Sequence, residues 1–196
     1  MSLHDRIFGH FLTSAQLKLD TAEVLSPVIE QAAQAIVQCL TQGGKVLCCG
    51  NGGSATDAQH FASTMVNRFE QERPGLAAIA LTTDTASLTS IANDFAYEQV
   101  FARQIRALGL PGDVLLAIST SGNSPSVLEA VAAAHARSMH VLALTGHSGG
   151  SLAEQMRDDD VFLCVPAAST ARIQEVHLLI IHCLCDAVDS VLLGVE

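Results

Sequence analysis

No cluster of lysine and arginine occurs in this chain, and acidic residues outnumber basic ones 20 to 10, for a formal charge of −10. A nucleic-acid groove needs a basic surface to meet phosphates, so direct nucleic-acid binding is not expected. Charge of either sign is scarce: 15% of residues are charged against 49% hydrophobic. So apolar a composition predicts that much surface is buried between copies, in a homo-oligomer. No CxxC pair occurs among the six cysteines, Cys39, Cys48, Cys49, Cys164, Cys183 and Cys185. Each lies inside an apolar strand or helix pattern, which predicts small buried core residues in a reducing compartment. No apolar run reaches about 18 uninterrupted residues, and the segment MSLHDRIFGHF carries charges early with no apolar stretch leading to a cleavage site. The expectation is a cytoplasmic protein with no membrane association. At 196 residues the chain suits one domain, 1–196, and is short for two.

What is present is organised around KVLCCGNGGSATDAQH, from Lys45 to His60. It reads as strand, tight turn and helix. Val46 to Cys49 suit a buried strand, Gly50, Gly52 and Gly53 permit close backbone approach, and Ser54 is placed to cap the helix. Such a turn aims free backbone N–H groups and the positive end of a helix dipole at one point, which suits a phosphate. A plain helix-capping turn remains the alternative, because GNGGS is neither GxxxxGK[ST] nor GxGxxG.

The other elements follow from spacing. From Asp5 to Gln42 apolar residues recur three and four apart, which predicts two amphipathic helices joined near Ser26-Pro27 and ended by Gly43-Gly44. Residues 1–44 then form a helical arm for subunit packing, ahead of an α/β core at 45–196. Beyond the helix that opens at Ser54 and runs to about Phe69, a strand is expected at Leu76–Leu81. A helix capped at Asp84 or Thr85 ends at Asn93-Asp94, another spans Tyr97–Leu108, and strands follow at Val114–Ile118, Val141–Leu144 and Val161–Val165. Pro125 takes the favoured first position of a helix, and a last helix runs from about Ser169 to Leu193. Strands alternating with helices predict a doubly wound parallel sheet flanked by helices, with ligands at the carboxyl ends of the strands.

A second polar turn, STSGNS, ends the strand at Val114. Its hydroxyls, on Ser119, Thr120, Ser121 and Ser124, can hold a phosphate beside a helix amino terminus without a lysine. Two such turns in one sheet favour a phosphorylated small molecule as ligand, with Ser54 of the first turn and Ser121 of the second converging on it.

CGNGGSATDAQHF, ISTSGNS, IANDF and ARIQEVHLLIIHCLCD, in this order across nearly the whole chain, resemble the sugar isomerase (SIS) domain, in the branch of the phosphoheptose isomerases and the DnaA initiator-associating proteins. The isomerase side of that resemblance implies conversion of sedoheptulose 7-phosphate to D-glycero-D-manno-heptose 7-phosphate for lipopolysaccharide heptose synthesis, in a homotetramer. It implies that Ser119, Thr120, Ser121 and Ser124 hold the phosphate, and that Asn51, Gly52, Gly53, Asn93, Asp94 and Gln174 line the sugar. It places a metal site, often zinc, at His60, Gln174 and His182, with the catalytic pair at Thr64 and His182.

Thr64 is the departure, since the family's isomerases carry glutamate there as ligand and proton-transfer base. Threonine does not titrate near neutral pH and is a poor metal ligand, whereas an imidazole such as that of His182 is a side chain suited to proton transfer near neutral pH. The regulatory relative also lacks the glutamate, so the resemblance carries a second implication, a non-catalytic regulator that binds the DnaA protein. By residue pattern alone His60 and His182 would be ordinary core or interface histidines, and His177 is expected to be structural. His4, His10, His135, His140 and His147 show no partner pattern, and Asp57 is the only carboxylate near His60.

Overall fold

The computed structural model describes residues 2–194. In chain order its elements are α1 (Leu3–Thr41), β1 (Val46–Gly50), α2 (Gly53–Val66), β2 (Ala78–Ala80), α3 (Thr85–Asp94), a 3₁₀ turn (Tyr97–Gln99), α4 (Val100–Leu108), β3 (Val114–Ser119), α5 (Pro125–Ala136), β4 (His140–Gly146), α6 (Gly150–Gln155), β5 (Val161–Val165) and α7 (Thr170–Leu193). The strands form one parallel sheet in the order β2-β1-β3-β4-β5. β1 and β3 are buried at every residue, as strands covered on both faces must be.

Alternate strand residues feed two separate cores. Val46, Cys48, Leu116, Ile118, Leu142 and Leu144 pack with α1, α2 and α7 on one face. Leu47, Cys49, Leu115, Ala117, Val141 and Ala143 pack with α4 and α5 on the other. This is the doubly wound arrangement that the alternating pattern predicts. Its strand order reverses between β1 and β3, which opens a crevice at their carboxyl ends. Gly50 registers with Ile118 there, so Asn51, just past the end of β1, comes beside Ser119, the last residue of β3.

The expected pair of amino-terminal helices is a single helix of 39 residues with Pro27 inside it. Proline removes one helical hydrogen bond and normally breaks or kinks a helix. Here the buried stripe continues past it, through Leu25, Ala32, Ala33, Ile36 and Cys39, and tertiary packing outweighs the local preference. Ser2 and Asp5 close the start with a reciprocal capping box. The first turns project beyond the body, leaving Leu3 73%, Phe8 57%, Phe11 72% and Leu12 57% exposed.

Other departures are local. Ser54 does not cap α2; Gly52 is the capping residue, at φ +56°, and Ser54 is buried in the first turn. The Leu76–Leu81 strand is three residues long, the helix after GNGGS stops at Val66, and the Tyr97–Leu108 helix begins as the 3₁₀ turn. Cys39, Cys48, Cys49 and Cys185 are buried as expected, but Cys183 is exposed and Cys164 half-buried. Asp84 caps α3 by accepting from the Ser87 N–H, and Pro125 opens α5. His135, expected to have no partner, pairs with Asp160 at 2.7 Å, and His140 lies 3.8 Å from Asp159. α7 is long and apolar enough to cross a membrane by length and composition, but it buries Ile173, Val176, Ile180, Ile181 and Leu184 against the sheet and is a core helix of this fold.

Candidate functional site

The polar turns after β1 and β3 meet in the crevice. Asn51 Nδ2 donates to Ser124 Oγ at 2.8 Å and to Ser126 Oγ at 2.9 Å, and the Tyr97 hydroxyl donates to Asn51 Oδ1 at 2.8 Å. Ser124 is the cap residue of α5, yet its hydroxyl accepts no capping bond from the helix's first backbone N–H groups. Ser119 is buried at the end of β3, Thr120 is half-buried and Ser121 is exposed, its Oγ accepting from the Asn123 N–H at 3.2 Å. The turn after β4 braces this loop: Leu152 N–H donates to the Gly122 carbonyl and Ser151 N–H to Asn123 Oδ1, both at 2.9 Å. Gly122, at φ +66°, lies so close to the Gly149 carbonyl that no side chain fits.

A second convergence joins α2 to α7. The Gln174 amide packs on Gly53, in space that a Cβ there would fill. About two turns further along both helices, His60 Nε2 and His182 Nε2 are 3.0 Å apart, and the Phe69 ring lies 5.8 Å from that of His182. Burial, and secondarily the neighbouring His182, lower the pKa of His60, so this imidazole is neutral near pH 7. One ring nitrogen donates its N–H to the other, the direction set by the tautomers.

Two imidazole nitrogens aimed at one point suit a zinc ion, which binds such nitrogens at about 2.0 to 2.1 Å. Gln174 adds a neutral oxygen, but Thr64 supplies no carboxylate. Among the described residues no group of three histidine, cysteine or acidic side chains could hold a metal. His60 and His182 thus offer two nitrogen ligands, while the Gln174 amide is held over Gly53 about two turns away.

Thr64 is buried, one turn after His60, and its carbonyl accepts from Arg73 Nη2 at 3.2 Å. Arg73, which the sequence reading passed over, also donates through Nη1 to the Met65 carbonyl at 2.8 Å and pairs through Nε with Asp189 on α7. It ties the carboxyl end of α2 to α7 behind the histidines. Asn93 and Asp94 end α3 on the surface, where Asn93 Nδ2 donates to Asp94 Oδ1 at 2.9 Å; among the described residues their side chains make no hydrogen bond to the two turns. Asp57 is half-buried, with one carboxylate oxygen unpartnered, and burial raises its pKa to about 6. His177 is fully buried and its Nε2 donates to the Thr145 carbonyl at 2.9 Å, in keeping with a structural part. Tyr97 and Ser126 were also missed. The available signals were that Tyr97 is the sole tyrosine of the chain and that Ser126 stands two residues after Ser124.

A parallel sheet with this switch-point crevice and hydroxyl-rich turns is a doubly wound α/β protein with a site suited to a phosphorylated small molecule, and the comparisons name the class. A family model described as SIS domain matches residues 10–146. A phosphoheptose isomerase of Thiobacillus denitrificans is 76% identical over 196 residues, covering 100% of both chains, and one of Azoarcus sp. is 62% identical over the same span and coverage. Among solved structures, phosphoheptose isomerase GmhA from Neisseria gonorrhoeae superposes with a TM-score of 0.92 at 53% identity, covering 96% of this chain and 100% of that one. A phosphoheptose isomerase from Francisella tularensis gives 0.94 at 52%, covering 97% and 100%. The chain belongs to the SIS-domain family, in its phosphoheptose isomerase branch.

Proposed function

We propose that this chain is a phosphoheptose isomerase that interconverts sedoheptulose 7-phosphate and D-glycero-D-manno-heptose 7-phosphate. The observation that carries the reading is the approach of His60 and His182 to 3.0 Å, on the two helices that also bring Gln174 to the glycine turn. Relatives alike over the full length bear the name phosphoheptose isomerase, which supports it.

In this reading Ser119, Thr120, Ser121 and Ser124 bind the phosphate, helped by the amino end of α5. Asn51, Gly52, Gly53, Ser54, Asn93, Asp94 and Gln174 line the sugar. His182 takes a proton from carbon 1 of the ketose and returns it to carbon 2, while the hydroxyl proton passes from oxygen 1 to oxygen 2. His60, Gln174 and His182 would hold zinc, which when bound would polarise the sugar's carbonyl. An imidazole bound to a metal cannot also carry the proton, so the His182 route belongs to the metal-free form. Turnover of sedoheptulose 7-phosphate by the purified protein, with zinc and with a chelator, tests both points: absence of turnover in both conditions overturns the isomerase reading.

Thr64 favours a second reading. A buried threonine in place of a titratable ligand suits a protein that binds a sugar phosphate without turning it over, and a regulator that meets the DnaA protein through its surface fits that case. In either reading the whole chain acts as one SIS unit, in the cytoplasm and in a homo-oligomer of tetramer type. The exposed Leu3, Phe8, Phe11 and Leu12 of α1 support subunit packing.

A further inference from the structure

Resting on the reading of STSGNS as a phosphate turn, we propose that Tyr97 is a positioning residue that sets the direction of a hydrogen-bond chain and leaves the Ser124 hydroxyl proton free for a phosphate oxygen. An asparagine amide has one donor end and one acceptor end, so fixing one end fixes the other. The Tyr97 phenol donates to Asn51 Oδ1 at 2.8 Å. This turns Nδ2 and its two hydrogens toward two hydroxyls, Ser124 Oγ at 2.8 Å and Ser126 Oγ at 2.9 Å.

The serine hydroxyls then act as acceptors toward the asparagine. Ser126 is buried at 2% exposure, and its hydroxyl has Ser124 Oγ at 3.4 Å. Ser124 Oγ thus accepts from Asn51 Nδ2, and among the described residues its own hydrogen has no acceptor nearer than Ser126 Oγ at 3.4 Å, a long contact that an anion's oxygen can replace. That hydrogen sits at the amino end of α5, where the helix dipole favours an anion. Each bond in the chain polarises the next, so the effect of the phenol reaches the last hydroxyl. With the amide reversed, both serines would donate to the asparagine and the turn would offer the anion one hydrogen fewer.

The surroundings of Tyr97 separate this role from packing. Its residue is 56% exposed, so the ring is no core element. The 3₁₀ turn that carries it is held independently by Gln99, which donates through Nε2 to Glu129 Oε2 on α5 at 3.0 Å and accepts from Arg106 Nη1 at 3.0 Å. Tyr97→Phe therefore removes the hydroxyl and leaves the turn in place.

The test is a double-mutant cycle in calorimetric binding of sedoheptulose 7-phosphate to wild type, Tyr97→Phe, Ser124→Ala and the double variant. Tyr97→Phe should weaken binding by about three- to tenfold, the range of one net hydrogen bond, and should add nothing in the Ser124→Ala background. Inorganic phosphate as the ligand should show the same coupling. Equal affinity of Tyr97→Phe and wild type overturns the chain of hydrogen bonds, and so does an undiminished loss in the Ser124→Ala background, which would mean that the phenol touches the sugar itself. Failure of wild type to bind either ligand overturns the phosphate reading and this inference with it.

Discussion

His60 on α2 and His182 on α7, 122 residues apart in the chain, face each other with their Nε2 atoms 3.0 Å apart and their rings edge-on at 69°. Thr64 lies one turn from His60 on the same helix, where side chains four residues apart are neighbours. Thr64→Glu should supply a carboxylate to the pair, raise zinc affinity, and raise isomerase turnover by about 10² to 10⁴, the usual contribution of a placed proton-transfer group. Because Thr64 is buried, the variant should melt lower than wild type without zinc and recover with it. Zinc calorimetry and sedoheptulose 7-phosphate turnover check this; a folded variant with neither gain would show that the pocket differs by more than this residue.

Arg73 and Asp189 form a buried pair with side chains 1% and 9% exposed. Removing one member of such a pair leaves the other charge uncompensated and costs about 3 to 5 kcal/mol. Asp189→Ala should therefore lose about that much in urea unfolding. A loss under about 1 kcal/mol would mean that water or a counter-ion reaches Arg73.

Gly53 and Gly122 should respond differently to alanine. At Gly122 the new Cβ meets the Gly149 backbone carbonyl, and the φ of +66° already disfavours a side chain, so Gly122→Ala should be strongly destabilised. At Gly53 the Cβ meets only the tip of Gln174, which can swing aside. Gly53→Ala should keep its melting temperature and bind sugar phosphate more weakly. Wild-type affinity in that variant would remove Gln174 from the binding site.

His177 makes stability depend on pH. Burial lowers its pKa to about 4, whereas in the unfolded chain a histidine titrates near 6.5, so the unfolded state takes up its proton first as pH falls. The contribution is fully present above about pH 6.5 and is lost between there and about 4, by about 3 kcal/mol in total. Asp57 acts in the opposite sense, since its raised pKa penalises folding above about pH 6 and the penalty is relieved on acidification. Comparing wild type with His177→Gln cancels Asp57. The stability gap in urea should narrow by about 2 kcal/mol from pH 7.5 to pH 5; a constant gap would show that folding leaves the pKa of His177 unshifted.

Much of the fold was legible because local chemistry writes it. The run Val46–Cys49 followed by glycines, and Pro125 after STSGNS, mark strand–turn–helix units whose ends are set by backbone geometry and capping. Pro27 misled for the complementary reason: its local effect is to break a helix, and only the buried stripe against α7 and the sheet holds α1 together across it. Ser54 misled as well, because Gly52 could take the positive φ at the cap and let Ser54 turn inward.

The same division runs through the site. The sequence by itself determined the alternation of strands and helices, the placement of polar turns at strand ends, and the residue types at those turns, since propensity, periodicity and turn chemistry act over a few residues. Tertiary structure alone decided that His60 meets His182, that Gln174 fills the space over Gly53, and that Tyr97 reaches Asn51. Those approaches depend on how α2, α7 and the 3₁₀ turn pack around a sheet whose strand order reverses between β1 and β3, and no local pattern in the chain specifies that packing.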